Sequence, residues 1–121
     1  MNIEQYRAYC LNKKSVTEHF PFDEDVLVFK VLGKMFALSS LKKWEEGLQS
    51  VNLKCDPDYA LELRAEYEAV EPGYHMSKKH WNTIQLHKNE VPPALVKELI
   101  DQSYNLVVKS LPKKLQKELE N

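Results

Sequence analysis

The sequence predicts an α+β fold, an antiparallel β-sheet with helices packed on one face. Three observations carry this expectation. Val26 to Val31 (VLVFKV) and Lys34 to Ser39 (KMFALS) are rich in β-branched and aromatic residues, and only Leu32-Gly33 separates them. A link that short joins antiparallel partners. Asp56-Pro57 is a strong helix start, with the aspartate as cap and proline in the first turn. From Pro93 onward, Leu95, Val96, Leu99, Ile100, Leu106 and Val107 share one helical face. Early strands that pair through a turn do not enforce parallel crossovers, so an antiparallel sheet packed against helices is the simplest solution.

Each element follows from local chemistry. Asn2 with Gln5 three residues on forms a capping box, and Ile3, Tyr6 and Cys10 follow at helical spacing. A first helix is expected from Ile3 to Lys13. His19-Phe20-Pro21-Phe22-Asp23 reads as a turn, followed by the hairpin. Lys42 to Ser50 is expected to be a loop or short helical turn carrying Trp44. Val51, Leu53 and Cys55 alternate with Asn52 and Lys54, the pattern of a half-buried strand. Ala60, Leu63 and Tyr67 stripe a second helix, which Pro72-Gly73 is expected to end. Trp81 to Leu86 reads as a strand. A long third helix runs from Pro93 until Leu111-Pro112 breaks it, leaving residues 110–121 as a short helical tail.

Composition bounds the rest. At 121 residues the chain fits one domain spanning 1–121, since single cores usually run to about 100–150 residues. There is no internal repeat, low-complexity tract or linker. Cys10 and Cys55 are too few for a disulfide framework, and each sits in an apolar pattern that fits reduced thiols. No run approaches the roughly 20 apolar residues that span a bilayer, and the segment after Met1 lacks an apolar signal core. A cytoplasmic monomer with no membrane contact is the expectation. Lys and Arg total 17 against 18 acids, a net charge of −1. That argues against a polyanion binder held by bulk charge. Only Arg7 and Arg64 are arginines, so base-specific readout in the major groove is not expected.

The sharpest local feature lies between Glu71 and Glu90. Pro72 to Asn89 contains no carboxylate, yet carries Lys78, Lys79 and Lys88 with His75, His80 and His87, interleaved with Tyr74 and Trp81. Lysines attract phosphate, and exposed aromatics offer stacking faces to unpaired bases. The alternative is that Tyr74, Met76 and Trp81 pack into the core while the lysines solvate a turn. Lys113, Lys114 and Lys117 read as a solvated helix end favoured by its dipole, and so do Lys13 and Lys14. Lys30, Lys34 and Lys54 are expected to point outward from strands, where they protect edges.

Other chemistries find little support. His75 and His80 are five apart with two lysines between them, whereas helical zinc ligands sit three or four apart, so no metal is expected. Glu18, Asp23, Glu24 and Asp25 surround the Phe-Pro-Phe turn in a spacing unlike a hard-cation loop. Ser39-Ser40 lacks a nucleophile-elbow context, and the cysteines read as core residues. Gly33, Gly47 and Gly73 are the chain's three glycines, which excludes a glycine-rich phosphate loop. Neither an enzyme nor a cofactor is predicted.

Several strings together resemble the MmcQ/YjbR family. They are His19-Phe20-Pro21-Phe22, Val28-Phe29-Lys30-Val31, Gly33-Lys34-Met35-Phe36-Ala37 and Leu53-Lys54-Cys55-Asp56-Pro57. The long string from Pro72 through Thr83 (PGYHMSKKHWNT), Ser103-Tyr104-Asn105-Leu106-Val107 and Leu111-Pro112-Lys113-Lys114 complete it in order. Asp23 departs from the pattern, standing where family members often carry glycine. The resemblance implies a CyaY-like (frataxin-like) α+β fold, described as a double-wing arrangement, and a DNA-binding role without catalysis. The residues expected to carry that role are Lys78, Lys79, His80 and Trp81, with His75 and Lys88 next. Binding would be weak and largely independent of sequence. The competing expectation is a protein-interaction module, with Trp44, Trp81 and the Phe-Pro-Phe turn forming an apolar patch.

Overall fold

Asn2 starts the first helix as its spacing to Gln5 dictates. Its Oδ1 accepts the Gln5 backbone N–H at 2.8 Å, and the Gln5 side chain accepts the Asn2 N–H at 2.9 Å. Two otherwise orphaned donors are satisfied together. In the computed structural model, which describes residues 1–120, this helix is α1 (Ile3–Leu11), burying Tyr6 and Cys10. The other elements are β1 (Val16–His19), β2 (Val26–Val31), β3 (Lys34–Ser40), α2 (Leu41–Glu45), β4 (Ser50–Lys54) and α3 (Pro57–Glu66). After them come β5 (Val70–Pro72), β6 (Trp81–Gln85), a 3-10 turn at Leu86–Lys88, α4 (Pro93–Ser110) and α5 (Lys113–Leu119). Among the described residues no helix is long and apolar enough to cross a membrane.

The architecture is α+β. Six strands form one antiparallel sheet in the order β1-β2-β3-β4-β6-β5. One face, with Leu27, Phe29, Val31, Val51, Leu53 and Ile84, packs against Tyr6 and Cys10 of α1, Ala60 and Leu63 of α3, and Val96, Ile100 and Val107 of α4. The other face carries a small cluster of Val28, Leu38 and Trp81. Alternation along each strand fixes which side chains go where.

The hairpin closes on Leu32 (φ 46°) and Gly33 (φ 87°). Two consecutive left-handed residues make the turn whose twist suits paired strands. Opposite it, the register slips so that Phe29 pairs with Ala37 and Lys30 with Met35. Phe36 is the extra residue of this bulge. Its ring meets Tyr104 edge-on at 5.4 Å, and its carbonyl accepts the buried Ser103 hydroxyl at 2.6 Å. The Ser103 Oγ in turn accepts the Lys54 N–H at 2.9 Å. One α4 serine thus satisfies backbone groups of both β3 and β4.

Three expectations need correction. β1 was not anticipated, because Thr17, Glu18 and His19 are polar; pairing with β2 makes it an edge strand. The second helix does not run to Pro72-Gly73 but stops at Glu66, and Val70–Pro72 returns as edge strand β5 beside β6. Leu86 leaves β6 for the 3-10 turn. Cys10 and Cys55 are buried and unpaired. Burial pushes their thiols up to about 12 and about 11, away from thiolate chemistry.

Candidate nucleic-acid interface

Residues 73–80 join β5 to β6, and the segment folds over the sheet face opposite the helices. Gly73 makes this crossing feasible. A Cβ there would lie 2.8 Å from the Trp81 Cβ and 3.1 Å from that of Met76. The Gly73 N–H donates to the Trp81 carbonyl at 2.8 Å, continuing the β5–β6 ladder by one bond. The Tyr74 N–H then donates to Thr83 Oγ1 at 3.2 Å. Met76 packs against Val28, Leu38 and Trp81. A turn follows, in which the Ser77 carbonyl accepts the N–H groups of His80 (3.2 Å) and Trp81 (2.9 Å).

Arg64 of α3 holds this turn from the helical side. Its Nε donates to Asn82 Oδ1 at 2.7 Å, and its Nη2 donates to the carbonyls of Lys78 and Trp81. The planar guanidinium fork suits several fixed acceptors at once. His75 sits at φ 57°, a left-handed conformation that a non-glycine residue adopts at some cost.

The structure brings His75, Lys78, Lys79 and His80 together on this segment, all exposed. It does not bring Lys88 to them. Lys88 lies in the 3-10 turn at the far end of β6, and a five-residue strand spans about 17 Å. Trp81 is only 8% exposed, buried under Met76 with Val28 and Leu38. It shapes the segment and offers no stacking face. Tyr74 is the outward aromatic, 69% exposed. Its ring lies 4.0 Å from that of His75, and Lys43 Nζ stands 5.8 Å from its centroid. The sequence pattern missed Lys43 and Arg64. Both are remote in sequence, and only the fold makes them neighbours.

The YjbR family model matches residues 11–106, a span that includes the whole segment just described. The chain belongs to the YjbR family. YbdF of Escherichia coli, an uncharacterised protein, is 43% identical over 98 residues, covering 81% of this chain and 77% of its own. YjbR of Escherichia coli, also uncharacterised, is 31% identical over 117 residues, 97% of this chain and 96% of that one. Among solved structures, a Deinococcus radiodurans protein superposes with a TM-score of 0.87 at 38% identity, covering 98% of this chain and 88% of that one.

Three of the four acids around the Phe-Pro-Phe turn of this YjbR-family chain, Glu18, Asp23 and Asp25, have structural occupations. Glu18 pairs with Arg7, and the guanidinium holds its carboxyl below the usual range. Asp23 Oδ1 accepts the N–H groups of Asp25 (2.9 Å) and Val26 (2.8 Å). The side chain closes the turn that leads into β2. Asp25 accepts the Ser40 hydroxyl at 2.6 Å and the Lys42 N–H at 2.7 Å, which also lowers its pKa. Lys13 is likewise engaged, pairing with Asp101 and lying over the Tyr9 and Tyr104 rings. α5 joins the helical layer, with Leu119 packed on the main core, so its lysines do not extend the segment opposite.

Proposed function

We propose that this chain is a non-enzymatic module that binds nucleic acid, DNA foremost, weakly and through its backbone. The observation that supports this reading is the exposure of Tyr74, His75, Lys78, Lys79 and His80 on one carboxylate-free segment anchored by Arg64. Lysines neutralise phosphates and release counterions, and an exposed tyrosine gives a stacking surface. The arginines leave no means of reading guanine in a duplex. Arg7 is paired with Glu18 and Arg64 is occupied by the segment's own backbone, so neither guanidinium fork is free for guanine. The net charge of −1 limits affinity to what this local patch supplies.

The reading as a protein-interaction module is narrowed by burial. Trp44 and Trp81 are each 8% exposed and belong to clusters on opposite faces of the sheet. Phe20 (47% exposed) and Phe22 (64% exposed) are what that patch retains. Two side chains fall short of the several hundred Å² that mark a docking patch.

Salt dependence tests the binding reading. Lys78→Ala and Lys79→Ala should each lower the slope of log affinity against log salt by about 0.7 for single strands or about 0.9 for duplex. An unchanged slope in the double variant would contradict phosphate contact at this segment.

A further inference from the structure

On the sheet face away from the helices, two segments from opposite edges lean over β3 and β4 and enclose a groove of 460 Å³. The volume falls within the range of small-molecule sites, about 300–1,000 Å³. Phe22, from the segment between β1 and β2, stands at one side, and Tyr74 stands at the other. Val26, Leu38, Asn52 and Thr83 line its floor. Phe22 and Tyr74 are among the most exposed large apolar side chains of the chain, at 64% and 69%. Both border one groove, where their rings can cover a flat ligand from two sides.

The polar groups of the groove define what that ligand presents. Thr83 Oγ1 accepts the Tyr74 N–H and donates to Asn52 Oδ1. That fixes the Asn52 amide and leaves its NH2 without a hydrogen bond among the described residues. An amide NH2 only donates, so it suits a carbonyl on the ligand's edge. Asp25 also borders the groove, but the Ser40 hydroxyl and the Lys42 N–H occupy its carboxylate. Lys43 stands at the rim beside Tyr74. Beyond that rim the same segment continues to Lys78, Lys79 and His80, all exposed.

We infer that the groove takes one unpaired, carbonyl-bearing base of a single nucleic-acid strand. The base stacks between Phe22 and Tyr74, its carbonyl accepts from the Asn52 amide, and Lys43 faces the adjoining phosphate. Thymine, uracil, cytosine and guanine carry such a carbonyl, and adenine does not. A strand is the occupant, not a free nucleotide, because Lys78 and Lys79 provide for phosphates past the groove. A paired base is excluded, since both of its faces are already stacked in the duplex. This inference rests on the nucleic-acid reading above and adds strandedness and base class to it.

The test is fluorescence anisotropy of the full chain with labelled oligothymidylate, oligoadenylate and a duplex, alongside the Phe22→Ala and Asn52→Ala variants. Phe22 is exposed, so its truncation leaves the fold intact, and circular dichroism verifies this for both variants. Expected results are a preference for thymidylate over adenylate of about fivefold, and a loss of about tenfold in Phe22→Ala. In Asn52→Ala the preference between the two strands should disappear. If wild type and both variants bind thymidylate equally, the base-capture inference is overturned while backbone binding stands. If no oligonucleotide binds at low salt, both fall. Thymidine monophosphate binding as tightly as the oligonucleotide would overturn the assignment to a strand.

Discussion

Arg64 Nε donates to Asn82 Oδ1 at 2.7 Å, tying α3 to the buried start of β6, while its Nη2 reaches the carbonyls of Lys78 and Trp81. One side chain thus determines where the lysine-bearing turn stands. Truncation as Arg64→Ala leaves the Asn82 oxygen, in a residue only 2% exposed, without its donor. The expected cost is about 1–3 kcal/mol. Arg64→Lys should recover only part of it, since an ammonium lacks the fork. Urea denaturation measures the loss, and amide exchange at Ser77 to Trp81 should rise more than elsewhere.

Gly73 is fixed by the Trp81 Cβ, not by its own backbone angles. Gly73→Ala would place a methyl 2.8 Å from that atom and 3.1 Å from the Trp81 carbonyl oxygen, neither of which is the end of a flexible side chain. Overpacking of this kind costs about 1–3 kcal/mol. Tryptophan fluorescence checks the accompanying shift, because Trp81 must move to relieve the contact.

Acid should weaken the region around the Phe-Pro-Phe turn. Glu18 and Asp25 both have folded pKa values lowered from their ordinary 4.5 and 3.8, by Arg7 for the first and by Ser40 and Lys42 for the second. A lowered carboxylate contributes stability above its unfolded value and loses it as pH falls through the folded value. Stability should therefore hold down to the ordinary carboxylate range and decline below it. In Glu18→Gln and Asp25→Asn that decline should be shallower. Thermal denaturation across the acid range checks this, and an unchanged acid slope in the double variant would refute the assignment.

The central fold was legible where sequence chemistry is local. The Asn2–Gln5 capping box, the Leu32-Gly33 turn and the Asp56-Pro57 helix start each act within a few residues, and each stands where its chemistry puts it. β1 and β5 were illegible because they are edge strands. Val16–His19 and Val70–Pro72 gain their conformation by pairing with β2 and β6, and little apolar pattern records it. The site was half legible. Absence of carboxylates from Pro72 to Asn89 marked out a basic segment that is exposed in the fold, but proximity in sequence joined Lys88 to it across a strand. Trp81 was the larger aromatic, yet register sets it opposite Lys54 on the inner floor under Met76. Tyr74, one residue past the glycine that lets the chain cross, faces out. The groove depends on Phe22, Asn52 and Tyr74 meeting from three distant stretches, and no single-sequence pattern encodes that.

The most direct test is an NMR titration of isotope-labelled protein with short single- and double-stranded oligonucleotides, at low and at physiological salt. Shifts concentrated on Tyr74 to His80 and fading as salt rises are the expected result, with Lys88 unaffected. An absence of shifts at low salt would contradict nucleic-acid binding by this chain.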